Sequence, residues 1–275
     1  MKRTRANLRS SIAGRSNVGA FTSIELLVVI IVLTMLTAIL LPALARSGEK
    51  DIRVACLNNE KQLYTSLHIY CDDNGDKLPT IPSGGSFWLW DMPAQVTTAM
   101  LNSGCTKKNF YCPSTAPRFT DQENWAAANS LWNYGGAAYN IVGYSFTFGG
   151  PGSQIIPQYQ NLKILSELHT NTTSPGNPVF TDTPATRELA ADVIISTGTA
   201  LPASAADNFA DIAGGFFTHH LSAHLGTGKV PAGGNLTYKD GHVAWKKFNA
   251  SAASTLTNPS KVRTTSALGG PYFWW

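Results

Sequence analysis

The chain has 275 residues, 43% hydrophobic and 14% charged, which excludes a disordered polypeptide and leaves room for one or two domains. Its formal charge of +4 is unevenly spread: Lys2, Arg3, Arg5, Arg9 and Arg15 lie in an opening stretch, residues 1–20, that holds no acid. Without them the remainder is nearly neutral, which excludes a basic surface for nucleic acid.

From Phe21 to Ala45 the sequence is apolar apart from one charged side chain, Glu25. A cleaved secretory signal needs a shorter core, of about 7–15 residues. A plain signal anchor fits the length, since about 20 apolar residues cross a bilayer. Neither explains a carboxylate whose insertion costs roughly 2.5–3.5 kcal/mol.

Basic leader, Phe21-Thr22-Ser23-Ile24-Glu25 and the apolar run together resemble the start of type IV pilins and type II secretion pseudopilins. In that family a peptidase cuts before a Phe, at a motif close to G-F-T-L-I-E, and methylates the new amine. Here Ala20 stands where Gly is usual and Ser23 where Leu is usual. The resemblance implies cleavage between Ala20 and Phe21, N-methylation of Phe21, and assembly roles for Glu25 and for Pro42 as a helix-bending residue. The freed amine of one copy would pair with Glu25 of its neighbour, so the buried carboxylate gains a partner and sets one axial register. The implied partners are prepilin peptidase, other copies or related subunits, inner-membrane assembly machinery and membrane lipid. The implied location is a single pass through the inner membrane, N-terminus cytoplasmic and head outside, or a filament once assembled.

After Ser47-Gly48 a helical stripe continues through Ile52, Cys56, Leu63, Leu67 and Tyr70, with Asn59 in its gap. Asp72-Asp73-Asn74-Gly75 carries stop signals. The organisation expected is a leader over 1–20, a transmembrane or filament-core helix over 21–45, its amphipathic continuation over 46–74, and a globular head over 75–275. Asp72, Asn74 and Asp76 offer oxygens in the pattern that opens a calcium loop, but Gly75 is misplaced and no Glu follows at the twelfth position. Calcium is therefore a candidate cofactor, against the simpler reading of a polar turn.

Of the four cysteines, Cys56 and Cys71 sit too far apart on one helix to bond, about 22 Å along its axis. Cys56–Cys112 with Cys71–Cys105 is the preferred pairing, and a small Cys105–Cys112 loop is the rival. In the head, Asp240-Gly241 signals a two-residue hairpin turn that would pair Lys239 with His242, Tyr238 with Val243 and Leu236 with Trp245. Val179-Phe180-Thr181 reads as a further strand. The fold class expected is α+β, a long N-terminal membrane-spanning helix packed on a small antiparallel-sheet head.

Cys56-Leu57-Asn58-Asn59-Glu60, the segment Phe110-Tyr111-Cys112-Pro113-Ser114 and Asp240-Gly241-His242-Val243 resemble a bacterial subgroup of pilin-like proteins with a C-terminal H-X9-DG motif. The motif wants a His where Val230 stands, and His224 is the nearest upstream. His219, His220 and His224 raise zinc, but adjacent histidines on a strand face opposite ways and no Cys or acid lies at ligand spacing. Structural or exposed histidines are the better reading. Asn171-Thr172-Thr173 and Asn235-Leu236-Thr237 match the glycosylation pattern by chance. No nucleophile elbow, phosphate loop or HExxH motif is present, so a structural subunit is expected rather than an enzyme. The alternative is a membrane-anchored extracytoplasmic binding protein or enzyme that does not polymerise. The closing aromatics, Pro271 to Trp275, suggest a core or subunit contact more than a sugar platform.

Overall fold

The computed structural model describes residues 22–83, 87–116, 118–136, 138–156, 159–165, 169–170, 181–197, 208–213, 216–226, 228–248 and 271–275, without the side chains of 40–47, 169–170 and 181–182. The leader, the Ala20–Phe21 cleavage point, the Pro42 side chain, Val179-Phe180 and Asn171-Thr172-Thr173 lie outside the described residues. Two compact units divide the chain, residues 1–48 and 49–275. Helix α1 (Ser23–Asp73) contributes to both.

In the first unit every described large apolar side chain of α1 is exposed, from Ile24 at 68% to Ile39 at 72%. Among the described residues no helix is long and apolar enough to cross a membrane. This overturns the expected membrane-spanning helix over 21–45, and with it the single-pass inner-membrane location.

The second unit is α+β. Its short elements are β1 (Asp91–Pro93), α2 (Ala94–Asn102), α3 (Leu131–Tyr134), β2 (Tyr139–Ile141), β3 (Tyr144–Phe146), β4 (His169–Thr170), β5 (Thr181–Asp182), β6 (Glu188–Asp192), β7 (Ile194–Ser196), β8 (Gly233–Tyr238), β9 (Val243–Lys247) and β10 (Tyr272–Trp274). The largest sheet is antiparallel, in the order β3-β6-β8-β9. The remaining strands form two-stranded pairs, β1-β2, β4-β5 and β7-β10. The last pair brings the C-terminal aromatics inside: Phe273, Trp274 and Trp275 are buried, and the Trp274 indole donates to Ser196 Oγ at 2.9 Å. They complete the core.

Within this unit α1 buries the stripe Cys56, Leu63, Leu67 and Cys71, but the same face also buries Glu60 and Ser66. The β8–β9 hairpin is one residue out of the expected register: Thr237 faces Val243, Leu236 faces Ala244 and Asn235 faces Trp245. Gly241 N–H donates to Tyr238 O at 2.9 Å, which makes Lys239 and Asp240 the turn centre and puts Gly241 after it at φ +86°. This is a three-residue loop with a glycine bulge, the next most common hairpin connection. The shift puts Asn235, Thr237 and Trp245 on one face, where Asn235 Nδ2 donates to Arg53 O and the Arg53 guanidinium lies 3.9 Å from the centre of the Trp245 ring.

Candidate functional site

Glu49, Arg53, Cys56 and Glu60 recur at spacings that place them on one face of α1. Cys112 faces this stretch from a loop whose geometry is local. The residue before a proline is driven to extended backbone, and Cys112 is extended at φ −76°, ψ 124°. Pro113 then opens a single 3-10 turn, Pro113–Thr115. Cys56 and Cys112 are joined by a disulfide, Cα–Cα 5.3 Å.

The second cross-link expected, Cys71–Cys105, is not formed: both are free, buried thiols. Cys105 docks on α1 beside Gln62 and Ser66, its sulfur 2.9 Å from Ser66 Oγ. Cys71 lies about 7 Å further along the helix axis. Burial, then the charges of Asp76 and Asp72, push the Cys71 thiol up to about 12. Burial also raises Cys105. Neither is a reactive thiolate.

Two further side chains reach the disulfide. Asp192 ends β6 and His224 sits in a loop at φ +51°, a left-handed conformation that His adopts more readily than most residues. Both are buried. His224 Nε2 lies 3.2 Å from Asp192 Oδ2 and 3.6 Å from Cys112 Sγ. On its other edge Nδ1 lies 3.3 Å from Glu49 Oε1. The backbone N–H of His224 donates to Ser114 Oγ at 3.0 Å, and that hydroxyl is 3.0 Å from Cys112 Sγ. Asp192 Oδ2 also accepts from the Asn235 backbone N–H at 2.7 Å and from Nδ2 at 3.1 Å, whereas buried Oδ1 has no hydrogen-bond partner. Ligand-type atoms of Cys56, Cys112, Asp192 and His224 all lie within 4.8 Å of one another.

Glu60 closes the far side. Thr237 Oγ1 donates to its Oε2, and burial, then the neighbouring Asp192 charge, raises its carboxyl well above the usual range. A groove of about 730 Å³ opens beside Cys112, with Tyr111, Phe119 and Trp125 in its walls and Ala55 and Asn59 at the α1 side.

The other residues singled out from sequence fall elsewhere. Glu25 reaches back to Thr22, accepting from its N–H and from its hydroxyl, each at 2.8 Å, and these bonds hold its carboxyl below the usual range. Asp72, Asn74 and Asp76 each turn to a separate protein group: His68 Nδ1, the Tyr70 carbonyl and the Leu165 N–H. Asp240 accepts from the His242 N–H at 3.1 Å and its Oδ1 lies 2.6 Å from His242 Nδ1, while Gly241 abuts Tyr64. The three histidines considered for zinc separate. His219 is near Asp211 on the surface, and His220 stacks between Trp90 and Phe119. Sequence reasoning missed Asp192 entirely, because a single acid among small residues carries no local signal of a distant partner. No family model, curated protein or solved structure matches the chain.

Proposed function

We propose that the chain is a pilin-like structural subunit, cut between Ala20 and Phe21 and assembled through its first helix with other copies or related subunits. One observation carries this reading: beyond Glu25, from Leu26 to Ile39, α1 carries large apolar side chains all round, and they are exposed. A helix apolar all round is a buried helix in its working state, and exposed apolar surface on this scale marks an interaction site. Copies of the same helix supply a matching apolar surface. Glu25 supports the reading further, since its described hydrogen bonds are to Thr22, one residue from the proposed new terminus. A neighbour's α-amine offers the opposite charge that a carboxylate needs when packing removes water.

Intact-mass measurement on protein from its own host tests the cut. The expected mass begins at Phe21 and carries one added methyl group. A mass that retains residues 1–20 overturns the proposal. Glu25→Gln tests the pairing, with loss of assembled filaments the expected result. A second reading, a binding protein that does not polymerise, draws on the aromatic groove beside Cys112. Unassembled protein that retains residues 1–20 supports it instead.

A further inference from the structure

The geometry points to a closed zinc site formed by Cys56, Cys112, Asp192 and His224 once the disulfide between the two cysteines is opened. Two thiolates, one imidazole nitrogen and one carboxylate oxygen are a soft-to-borderline set that suits Zn²⁺. All four residues are buried, as in structural zinc sites with no open position. Their ligand atoms already lie within 4.8 Å of one another. A tetrahedral ion with Zn–S bonds of about 2.3 Å holds its sulfurs roughly 3.8 Å apart. Side-chain rotation at Cα atoms 5.3 Å apart allows that separation.

The surroundings are those a zinc site requires. A ligating histidine gives its other ring nitrogen to a carboxylate, and His224 Nδ1 faces Glu49 Oε1 at 3.3 Å while Nε2 faces the sulfur and Asp192. Arg53 Nε in turn donates to Glu49 Oε1 at 2.9 Å. Ser114 Oγ stands 3.0 Å from the Cys112 sulfur, placed to donate to a thiolate. The two Asn235 N–H groups orient the Asp192 oxygen. Asp192 Oδ1, buried and without a partner, marks a carboxylate that the protein alone does not satisfy.

Cross-link and ion are alternative occupants of one site. A dithiol reductant passes two electrons and two protons to the Cys56–Cys112 bond and becomes a disulfide itself. The S–S bond breaks and two thiols form. Zn²⁺ then displaces both thiol protons, and any proton on Nε2, to solvent. Cys112 lines both the site and the neighbouring groove, the side from which a reductant approaches. The inference is independent of whether the chain polymerises.

Cobalt(II) titration of the full chain, oxidised and after phosphine reduction, tests it. One equivalent is expected to produce a thiolate-to-cobalt charge-transfer band and tetrahedral visible bands in the reduced protein only, both lost on adding Zn²⁺. Removing the free thiols with Cys71→Ala and Cys105→Ala leaves the bands intact, whereas His224→Ala abolishes or alters them. Glu49→Gln keeps the band positions and weakens Zn²⁺ binding about 10–100-fold in chelator competition. Zn²⁺ also shields Cys56 and Cys112 from alkylation in the unsubstituted reduced protein, a readout independent of how the variants fold. No charge-transfer band on reduction, bands that survive His224→Ala unchanged, or alkylation of both cysteines undiminished by Zn²⁺ overturns the assignment.

Discussion

The Tyr64 hydroxyl on α1 donates to the Lys239 carbonyl at 3.0 Å, and its ring closes over Gly241 in the same hairpin turn. A Cβ on Gly241 would fall 2.4 Å from Tyr64 Cε1, at a backbone φ of +86°. An alanine there meets a left-handed penalty of about 1–2 kcal/mol and an overpacking cost of about 1–3 kcal/mol. Gly241→Ala is expected to lower the unfolding free energy by roughly 2–5 kcal/mol in urea titration. Tyr64→Phe, which deletes only the hydrogen bond, costs about 1 kcal/mol. In a Tyr64→Ala background the Gly241→Ala cost falls to its backbone part. An undiminished cost there means that the ring contact is unimportant.

Two buried groups titrate in opposite senses. Burial raises Asp91 to about 7, against the opposing effect of the Trp88 N–H it accepts at 2.9 Å. Its folded pKa exceeds its unfolded one, so the stability it allows is present below about 4 and lost as pH rises through 7. Asp91→Asn, relative to the unsubstituted protein, gains on the order of 4 kcal/mol between pH 4 and 8. Burial, then the neighbouring His219, lowers His220 to about 4. Its stability is present above about 6.5 and lost as pH falls through 4. His220→Phe, which keeps a ring against Trp90 and Phe119, removes an acid-side loss on the order of 3 kcal/mol. Denaturant titrations at stepped pH check both. A difference curve flat in pH rejects the corresponding burial argument.

The Cys56–Cys112 link spans 56 residues of sequence, and closing a loop of that length restricts the unfolded chain by about 4 kcal/mol. Cys112→Ala is expected to lose an amount of that order under oxidising conditions. Cys71→Ala, at a free buried thiol, loses only packing, about 1 kcal/mol. Thermal unfolding with and without reductant separates the two, because only the disulfide contribution responds. A reductant-insensitive midpoint in the unsubstituted protein rules the loop contribution out.

Trp274 is fully buried and its indole is hydrogen-bonded to Ser196, so the chain end is core and not an appendage. Trp274→Ala is expected to cost about 3–5 kcal/mol in a denaturant titration. Ser196→Ala leaves a buried N–H unpaired and costs about 1–3 kcal/mol. A Trp274→Ala midpoint equal to that of the unsubstituted protein contradicts the packing described.

The helix was legible because periodicity is local. The amphipathic stripe expected after Ser47-Gly48, with stop signals at Asp72-Asp73-Asn74-Gly75, meets the end of α1 at Asp73, and Gly75 follows at φ +67°. The amphipathic pattern did not reveal buried Glu60, whose partner Thr237 lies on β8 far along the sequence. The hairpin was legible as a hairpin but not in register. Asp-Gly serves a two-residue and a three-residue loop equally, and the choice rests on the Tyr64 ring over the turn and on the pairing of β8 with β6.

By itself the sequence determined the periodic helix, the turn-forming Asp240-Gly241, the charge asymmetry of the first segment and the α+β class. Each follows from residues close together, whose φ/ψ preferences and spacing act without a distant partner. The sequence also pointed to Cys56 with Cys112, but tertiary structure alone decided that Cys71 and Cys105 stay apart. It also decided that Asp192 and His224 close on the same point. Those meetings depend on which strand lies beside which and where a loop lands on α1. Packing and burial decide them over the whole head, because the free energy of long-range contacts belongs to the assembled core and not to any one segment.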